Sequence, residues 1–235
     1  TVSRRNFRRE NKRMSIFVIA DLHLSFKNPK PMDIFGKNWE NHAEKIKQDW
    51  LAKVNDDDMV VLPGDFSWAM HLEDTYLDFK YLNELPGKKV LLKGNHDYWW
   101  TTVTSMKKFL EENKFNNIEF LYNNAIGYEN KVFVGSRGWA LQDTENSKKM
   151  INRECQRLEL SIKDAINNYD NTKEIIAFMH YPPLVKQQLL ENNHLEFYKV
   201  LKKYDIKRCY YGHLHGNSHK DAINGDIGGI NFSLI

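Results

Sequence analysis

Residues 90–97 read Val-Leu-Leu-Lys-Gly-Asn-His-Asp, and this stretch decides how the rest of the chain is interpreted. It begins as a short apolar run, which is typical of a buried strand. It then ends in a glycine followed by an amide, an imidazole and a carboxylate. Ligands of α/β proteins bind beyond the carboxyl ends of strands, so this ending predicts a sheet edge that carries functional groups.

The same arrangement recurs on both sides of this stretch. Four further apolar runs also end in Asp or His. They lead into Asp21-Leu22-His23, Gly64-Asp65, His180 and Gly212-His213-Leu214-His215. We therefore expect five strand ends to bring these side chains to one edge of a sheet.

The donors at these strand ends are two carboxylates, one amide oxygen and four imidazoles. A mixed oxygen and nitrogen set suits first-row ions and has too much nitrogen for Ca or Mg alone. Seven ligands are too many for one tetrahedral ion but fill two centres if one carboxylate bridges. Two ions about 3.5–4 Å apart can clamp a phosphate and activate a water molecule. The predicted cofactors are thus two divalent transition-metal ions, with Mn, Fe and Zn as the candidates.

Asp-x-His, Gly-Asp, Gly-Asn-His-Asp, a lone His and Gly-His-x-His, in this order, resemble the signature of the calcineurin-like metallophosphoesterase superfamily. All five blocks are intact between Asp21 and His215, and the ordered set is far more specific than any block alone. The resemblance implies an α/β fold, a four-layer αββα sandwich with two mixed β-sheets flanked by helices.

The resemblance also implies roles for individual residues. Asp21, His23 and His215 would hold one metal, Asn95, His180 and His213 would hold the second, and Asp65 would bridge the two. His96 would be the general acid that protonates the leaving alkoxide, with Asp97 orienting its imidazole.

The chain departs from the protein serine/threonine phosphatase branch of this superfamily. That branch follows Gly-Asp closely with an Asp-Arg pair, whereas residues 64–70 here contain no arginine. Its third block ends in Glu, whereas this one ends in Asp97. The sequence is more similar to small bacterial members. Arg137, at a predicted strand end, is a candidate substitute for the missing phosphate-binding arginine.

Trp68, Tyr98 and Trp99 directly follow metal-site blocks. Aromatic side chains belong more often to the core than to a substrate platform. Because of their position, we nevertheless expect at least one of the three to line the cleft, where it could stack on a base or an aromatic leaving group.

No linker, repeat or low-complexity tract interrupts the chain, so we expect one metallophosphoesterase domain over residues 14–235. Helices are predicted over 39–54, 74–85, 102–113, 145–169 and 195–204. Strands are predicted over 15–20, 59–62, 90–92, 118–121, 125–128, 132–135, 174–178 and 208–211, with a final apolar stretch at 232–235.

Residues 1–13 are strongly basic. Of the 34 basic and 31 acidic side chains, six and one lie there, so the remaining chain is close to neutral. We expect a leader that is disordered or non-native, before a natural start at Met14. The neutral body does not favour nucleic acid as a partner, because phosphate contacts dominate such binding.

Two further observations concern location and partners. Cys155 and Cys209 show no metal-ligand or redox spacing, which indicates free thiols and a cytoplasmic location. No apolar run approaches the roughly 20 residues that cross a bilayer, so no membrane partner is expected. A small phosphorylated substrate is the expected partner.

These features predict two-metal-dependent hydrolysis of a phosphomonoester or phosphodiester, with nucleotides among the candidates. One alternative is a DNA-repair-type nuclease, for which residues 1–13 would supply a basic arm. The other is a non-catalytic metal-binding scaffold. A protein that has lost catalysis should also have lost some metal ligands or His96, and all of these residues are present.

Overall fold

The first of two β-sheets is formed by the N-terminal half of the chain. The structure is a computed structural model that describes residues 14–142, 144–193 and 195–235; the predicted leader, residues 1–13, lies outside them. The sheet contains, in spatial order, β1 (Ile16–Val18), β2 (Met59–Pro63), β3 (Lys88–Leu92) and β4 (Ile118–Phe120). Each neighbouring pair is parallel.

The second sheet is mixed. Its spatial order is β5 (Ile126–Tyr128), β6 (Lys131–Ser136), β7 (Glu174–Met179), β8 (Arg208–Tyr211), β10 (Ile230–Leu234) and β9 (Gly225–Ile227). The pairs at the two edges are antiparallel. The inner pairs are parallel.

Helices cover the outer faces of both sheets. They are α1 (His42–Lys53), α2 (Tyr76–Glu84), α3 (Val103–Glu112), α4 (Glu145–Asn168), α5 (Lys186–Glu191) and α6 (Glu196–Lys203). None of the helices in the described part of the chain is both long and apolar enough to cross a membrane.

Three apolar cores separate the four layers. Leu62 of β2 points outward and shares a core with Phe79 of α2. The next residue back, Val61, points to the opposite face and shares the middle core with Phe178 of β7, because side chains alternate along a strand. Leu158 of α4 belongs to the third core, between the second sheet and its helices.

The predicted αββα sandwich is confirmed, with a refinement of the first sheet. We expected two mixed sheets, but the described strands of the first are all parallel, because helical crossovers connect β1 to β2, β2 to β3 and β3 to β4. The predictions missed α5 and β9. The only apolar residues in 186–191 are two adjacent leucines, so this segment lacks the apolar periodicity of a helix. Strand β9 contains Gly225 and Asp226, and both residue types are disfavoured in strands.

The parallel pairing determines where the polar strand ends lie. In the first sheet, β1, β2 and β3 are neighbours that point in the same direction, and in the second sheet β7 and β8 do the same. The ends of the two sheets meet, because the ring of His180, after β7, contacts the carbonyl of Pro63 at the end of β2. All five predicted blocks therefore converge, but they come from two sheets and not, as we expected, from one edge of a single sheet.

Candidate metal centre

Four of the predicted ligands adopt the left-handed backbone conformation. The φ angles are 58° at Asp21, 47° at His23, 54° at Asp65 and 72° at His213. Such a conformation costs about 1–3 kcal/mol for a residue with a side chain, and it persists where surrounding structure enforces it, commonly at functional sites. The strand ends are thus turned sharply to aim these side chains into one space.

Glycines in the blocks allow the loops to approach one another. A Cβ atom on Gly94 would lie 2.0 Å from Asp65 Oδ1, and one on Gly64 would lie 2.5 Å from His180 Nδ1. Both distances are far below any real contact. The glycines of the Gly-Asp and Gly-Asn-His-Asp blocks are therefore required by the packing of Asp65 and His180.

The ligand side chains form two groups. The outer group is Asp21, His23 and His215, and the inner group is Asp65, His180 and His213. Within each group the ligand atoms all lie within 4.8 Å of one another.

One carboxylate oxygen faces both groups. Asp65 Oδ2 lies 3.5 Å from His180 Nε2 of the inner group and 3.7 Å from His23 Nε2 of the outer group. The other oxygen, Oδ1, accepts a 2.8 Å hydrogen bond from the backbone N–H of His96. The backbone thereby fixes Oδ1, and Oδ2 remains directed at both groups.

In the inner group, a lone pair of His180 faces a lone pair of the neighbouring Asn95, with no proton between them. His180 Nδ1 lies 3.0 Å from the carbonyl oxygen of Pro63, so Nδ1 carries the proton and donates it. The lone pair of Nε2 then faces Asn95 Oδ1 at 2.7 Å. Two acceptors this close repel unless a cation lies beside them. The inner group and Asn95 therefore fit a divalent metal ion.

The outer group contains orphaned buried atoms. Asp21 Oδ1 and His23 Nδ1 are buried without a well-directed hydrogen bond to any described residue, although His215 Nε2 lies 3.2 Å from Asp21 Oδ1. Buried polar atoms are normally satisfied, so orphans need an explanation. A cation would satisfy the carboxylate oxygen, and the outer group thus also fits a metal ion.

Electrostatics favour neutral imidazoles and a cation. Burial lowers the pKa of both His23 and His180 to about 3, which leaves them neutral with a free lone pair. Burial, together with the nearby Asp97, raises the pKa of Asp65 to about 8. Without a cation this carboxylate is costly to ionise, and a bound cation would reverse that cost.

The structure gives Asp97 a different role from the one predicted. We expected it to orient the imidazole of His96, but its fully buried carboxylate is occupied by five N–H donors at 2.7–3.2 Å. They are the backbone N–H groups of Gly94, Asp65, Phe66 and Ser67 and the indole N–H of Trp99. Asp97 instead ties the Gly-Asp loop to the Gly-Asn-His-Asp loop.

The His96 imidazole lies beside the outer group. Its ring centroid is 5.6 Å from that of His23 and 4.2 Å from that of Trp68. Its Nδ1 has no hydrogen-bond partner among the described residues. Burial lowers the pKa of His96, and the charge of Lys30 lowers it further. The ring is thus close to the candidate metal ligands and not tied to Asp97.

The three aromatic residues that were predicted to be near the substrate lie in different environments. The Trp68 indole stacks on the His23 ring, with centroids 4.9 Å apart and planes at 23°. Tyr98 is 53% exposed, with its ring 6.1 Å from that of His96. Trp99 is only 2% exposed and packs edge-on against Phe79, so it does not line the cleft. Its indole fills the core and donates to Asp97.

Arg137 is engaged elsewhere. Its guanidinium lies 3.6 Å from the buried carboxylate of Glu154 on α4 and over the ring of Trp139 at 4.5 Å. We expected a phosphate-binding arginine at this position. The ion pair with Glu154 turns it toward α4, which argues against that role.

Two residues beside the site were missed. The ring of Trp39 lies 5.8 Å from that of His23 and 5.7 Å from that of His215. The sequence predicts a helix over 39–54, which would include Trp39, but the helix begins at His42. Lys30, whose Nζ lies 4.2 Å from the Trp68 centroid, belongs to no motif and carries no signal in the sequence.

Comparison with known proteins supplies a family match. A family model described as calcineurin-like phosphoesterase matches residues 14–217. Among curated proteins, none matches.

Solved structures show similarity of fold at low sequence identity. Phosphopantetheinyl hydrolase from Mycobacterium tuberculosis is 14% identical, with a TM-score of 0.50 over 93% of this chain and 88% of that one. A second structure is 12% identical, with a TM-score of 0.56 over 92% and 88% of the two chains. A protein of unknown function from Aquifex aeolicus is 18% identical, with a TM-score of 0.46 over 88% and 83%.

Proposed function

The chain belongs to the calcineurin-like phosphoesterases, a family of metal-dependent hydrolases, and on that premise we propose that it hydrolyses a small phosphate ester at a centre of two divalent transition-metal ions. The observation that carries the proposal is the position of Asp65 Oδ2, which lies 3.5 Å from a nitrogen of the inner group and 3.7 Å from one of the outer group. A carboxylate oxygen in this position could bridge two ions, and two ions side by side can clamp a phosphate.

Each of the two ligand groups would hold one ion. Asp21, His23 and His215 would hold one ion, His180, His213 and Asn95 would hold the other, and Asp65 would bridge them. The mixed oxygen and nitrogen donors suit Mn, Fe or Zn. When bound, the two ions would neutralise the phosphate and make a water molecule acidic enough to act as the nucleophile.

His96 is the proposed general acid. Hydrolysis adds the water oxygen to phosphorus, breaks the bond from phosphorus to the leaving oxygen and requires a proton on that oxygen. The imidazole of His96 is next to the outer group and has Nδ1 free of hydrogen bonds to the described residues. Burial lowers its pKa in the free protein, and a bound phosphate anion would raise that pKa and favour the protonated form.

Asp97 is proposed as a positioning residue. It accepts hydrogen bonds from the backbone on both sides of the Gly-Asp and Gly-Asn-His-Asp loops, including the N–H of Asp65 at 2.9 Å and that of Gly94 at 2.7 Å. These bonds hold Asp65, Asn95 and His96 at fixed relative positions. Asp97 thus acts on the reaction through the residues that it holds.

The proposal is tested with p-nitrophenyl phosphate and bis-p-nitrophenyl phosphate in the presence of Mn²⁺. Wild type should cleave at least one of them. Asp65→Asn should lose activity together with bound metal, whereas the matched control Asp49→Asn, at an exposed site on α1, should change neither. His96→Ala should lose less activity on these good leaving groups than on an alkyl phosphate, which needs a proton more.

The two substrates also separate the classes of ester. A preference for the diester would favour cyclic nucleotides or nucleic acid as the natural substrate, and a preference for the monoester would favour a phosphatase. Wild-type protein that binds two metal ions per chain and cleaves neither compound would overturn the proposal.

A further inference from the structure

A cavity of about 720 Å³ lies beside the outer group, between the segment 26–47 and α2. Trp39 forms part of its wall, and the same indole lies within 6 Å, ring centre to ring centre, of both His23 and His215. Sites for small organic molecules typically have volumes of about 300–1,000 Å³. The cavity is thus large enough for an organic group and shares a wall with the candidate metal centre.

Lys30 lies where the cavity meets the metal centre. It lines the cavity, and its Nζ lies 4.2 Å from the centroid of Trp68, the ring that stacks on His23. Within the described residues, its ammonium group forms no ion pair with a carboxylate. By contrast Lys27, three residues earlier, is paired with Asp74. Lys30 therefore retains a positive charge that is free to contact an anion.

The lining of the cavity combines aromatic faces with hydrogen-bond acceptors. Phe26, Trp39 and Tyr81 supply the rings. Three lining residues, Asp33, Glu40 and Glu44, carry carboxylates, and two, Lys30 and Lys47, carry ammonium groups. One oxygen of Glu44 already accepts a hydrogen bond from Gln48. Rings stack on planar groups, and carboxylates accept from amino and hydroxyl groups. With three carboxylates to two ammonium groups, the cavity disfavours a second phosphate.

We propose that this cavity binds the leaving group of the substrate, and that the leaving group is a planar ring system with amino or hydroxyl donors, of the nucleoside type. The inference rests on the proposed phosphoesterase function and specifies its substrate class. The single phosphate would lie at the two ligand groups, the ring would lie against Phe26 and Trp39, and Lys30 would contact phosphate oxygens between them.

The test compares ring-bearing and ring-free esters on the Mn²⁺-loaded full chain. The substrates are adenosine 5′-monophosphate, adenosine 2′,3′-cyclic monophosphate and glycerol 3-phosphate, with p-nitrophenyl phosphate and its bis ester as references. At least one nucleotide should have a kcat/KM about tenfold above that of glycerol 3-phosphate, since a stacked ring contributes up to about that factor.

Variants connect the preference to the cavity. Phe26→Ala and Lys30→Gln should each lower kcat/KM for the preferred nucleotide by about tenfold, whereas the matched lysine control Lys27→Gln should stay within twofold of wild type. Adenosine alone should inhibit cleavage of the reference ester, and Phe26→Ala should weaken that inhibition by a similar factor. Inhibition reports binding in the cavity separately from turnover.

Failure of this inference differs from failure of the proposed function. A wild type that cleaves a reference ester but favours no nucleotide over glycerol 3-phosphate would overturn the subsite and leave the phosphoesterase intact. Equal effects of Lys30→Gln and Lys27→Gln would also overturn it. Metal-loaded protein that cleaves no reference ester would instead remove the proposed function, and the subsite with it.

Discussion

The two ligand groups differ in what holds their imidazoles in place. In the inner group, His180 is fully buried, and its Nδ1 donates to the carbonyl of Pro63. In the outer group, Nδ1 of His23 has no such partner among the described residues, and the ring rests on the indole of Trp68. The side chain of His215 is 43% exposed.

Because of this difference, we expect the two groups to bind a cation with different affinities. A hydrogen bond at the second ring nitrogen selects the tautomer and the direction of the free lone pair, and such partners strongly affect metal affinity. Stacking, in contrast, fixes the plane of an imidazole ring but leaves the ring free to rotate or shift within that plane. We therefore expect the inner group to bind a divalent ion more tightly than the outer group.

The largest effect should come from graded removal of metal. EDTA should first take the ion of the outer group and then that of the inner group, and hydrolysis should fall to zero. An ion present at 100 times its Kd stabilises the folded chain by about 2.7 kcal/mol, so the melting temperature should fall with each loss. Metal content, activity and melting temperature are measured at each EDTA concentration. Loss of both ions in a single step would contradict the expected difference in affinity between the inner and outer groups.

Alanine at His180 and at His215 tests the same difference one ligand at a time. His180→Ala should lower kcat/KM by about 10³-fold, because several kcal/mol of charge stabilisation would be lost with the inner ion. His215→Ala should cost about tenfold and be partly restored by excess Mn²⁺. The exposed His219→Ala is the control and should remain near wild type. Equal losses for the two ligands would contradict a difference in preorganisation.

Asp97→Asn should weaken the support beneath the inner group. The new amide N–H would face backbone N–H donors, so the free energy of unfolding should fall by about 3 kcal/mol. Metal affinity or activity should fall by about 10- to 100-fold, as is usual when a supporting contact is lost. Denaturant unfolding and metal titration are the measurements, with Asp49→Asn as the control. A stability change below about 0.5 kcal/mol would show that the five hydrogen bonds contribute little.

The smallest effect should come from Trp68→Leu, which removes the ring beneath His23. Aromatic stacking contributes about 0.5–1.5 kcal/mol, so Mn²⁺ affinity of the outer group should weaken by about 2- to 10-fold. Affinity of the inner group should not change. Trp68→Phe keeps an aromatic face and should retain most of the affinity. Calorimetric titration with Mn²⁺ resolves the two sites, and a larger effect on the inner one would be contrary to expectation.

The architecture and the candidate ligands could be predicted from the sequence because both depend on local pattern. Apolar runs such as 59–62 and 90–92 predicted strands, and β2 and β3 cover them. The polar residues that end those runs had to meet once the strands paired in parallel, since parallel strands end at the same edge. The structure brings Asp65 and Asn95 together in this way, with both within hydrogen-bonding or ion-pairing distance of His180.

The surroundings of the ligands could not be predicted in the same way. Trp99 looked like a cleft residue because it follows the Gly-Asn-His-Asp block, but its indole is buried against Phe79. Arg137 lies at a strand end, as predicted, and yet its charge pairs with Glu154 on α4. A position next to a motif does not determine which way a side chain turns, because neighbouring layers decide that by packing.

The spacing and chemistry of residues along the chain were sufficient to predict the family, most of the strands and the set of metal-ligating donors. The order of the strands within the sheets, and the meeting of two sheets at the donors, were not predicted. Three contacts became apparent only in the folded chain: Asp97 joins two loops, Trp68 stacks on His23, and Lys30 lines a cavity while its ammonium group lies over Trp68. The reason is that such contacts join residues some 30 or more positions apart through loops, and loops lack the periodicity from which contacts could be predicted.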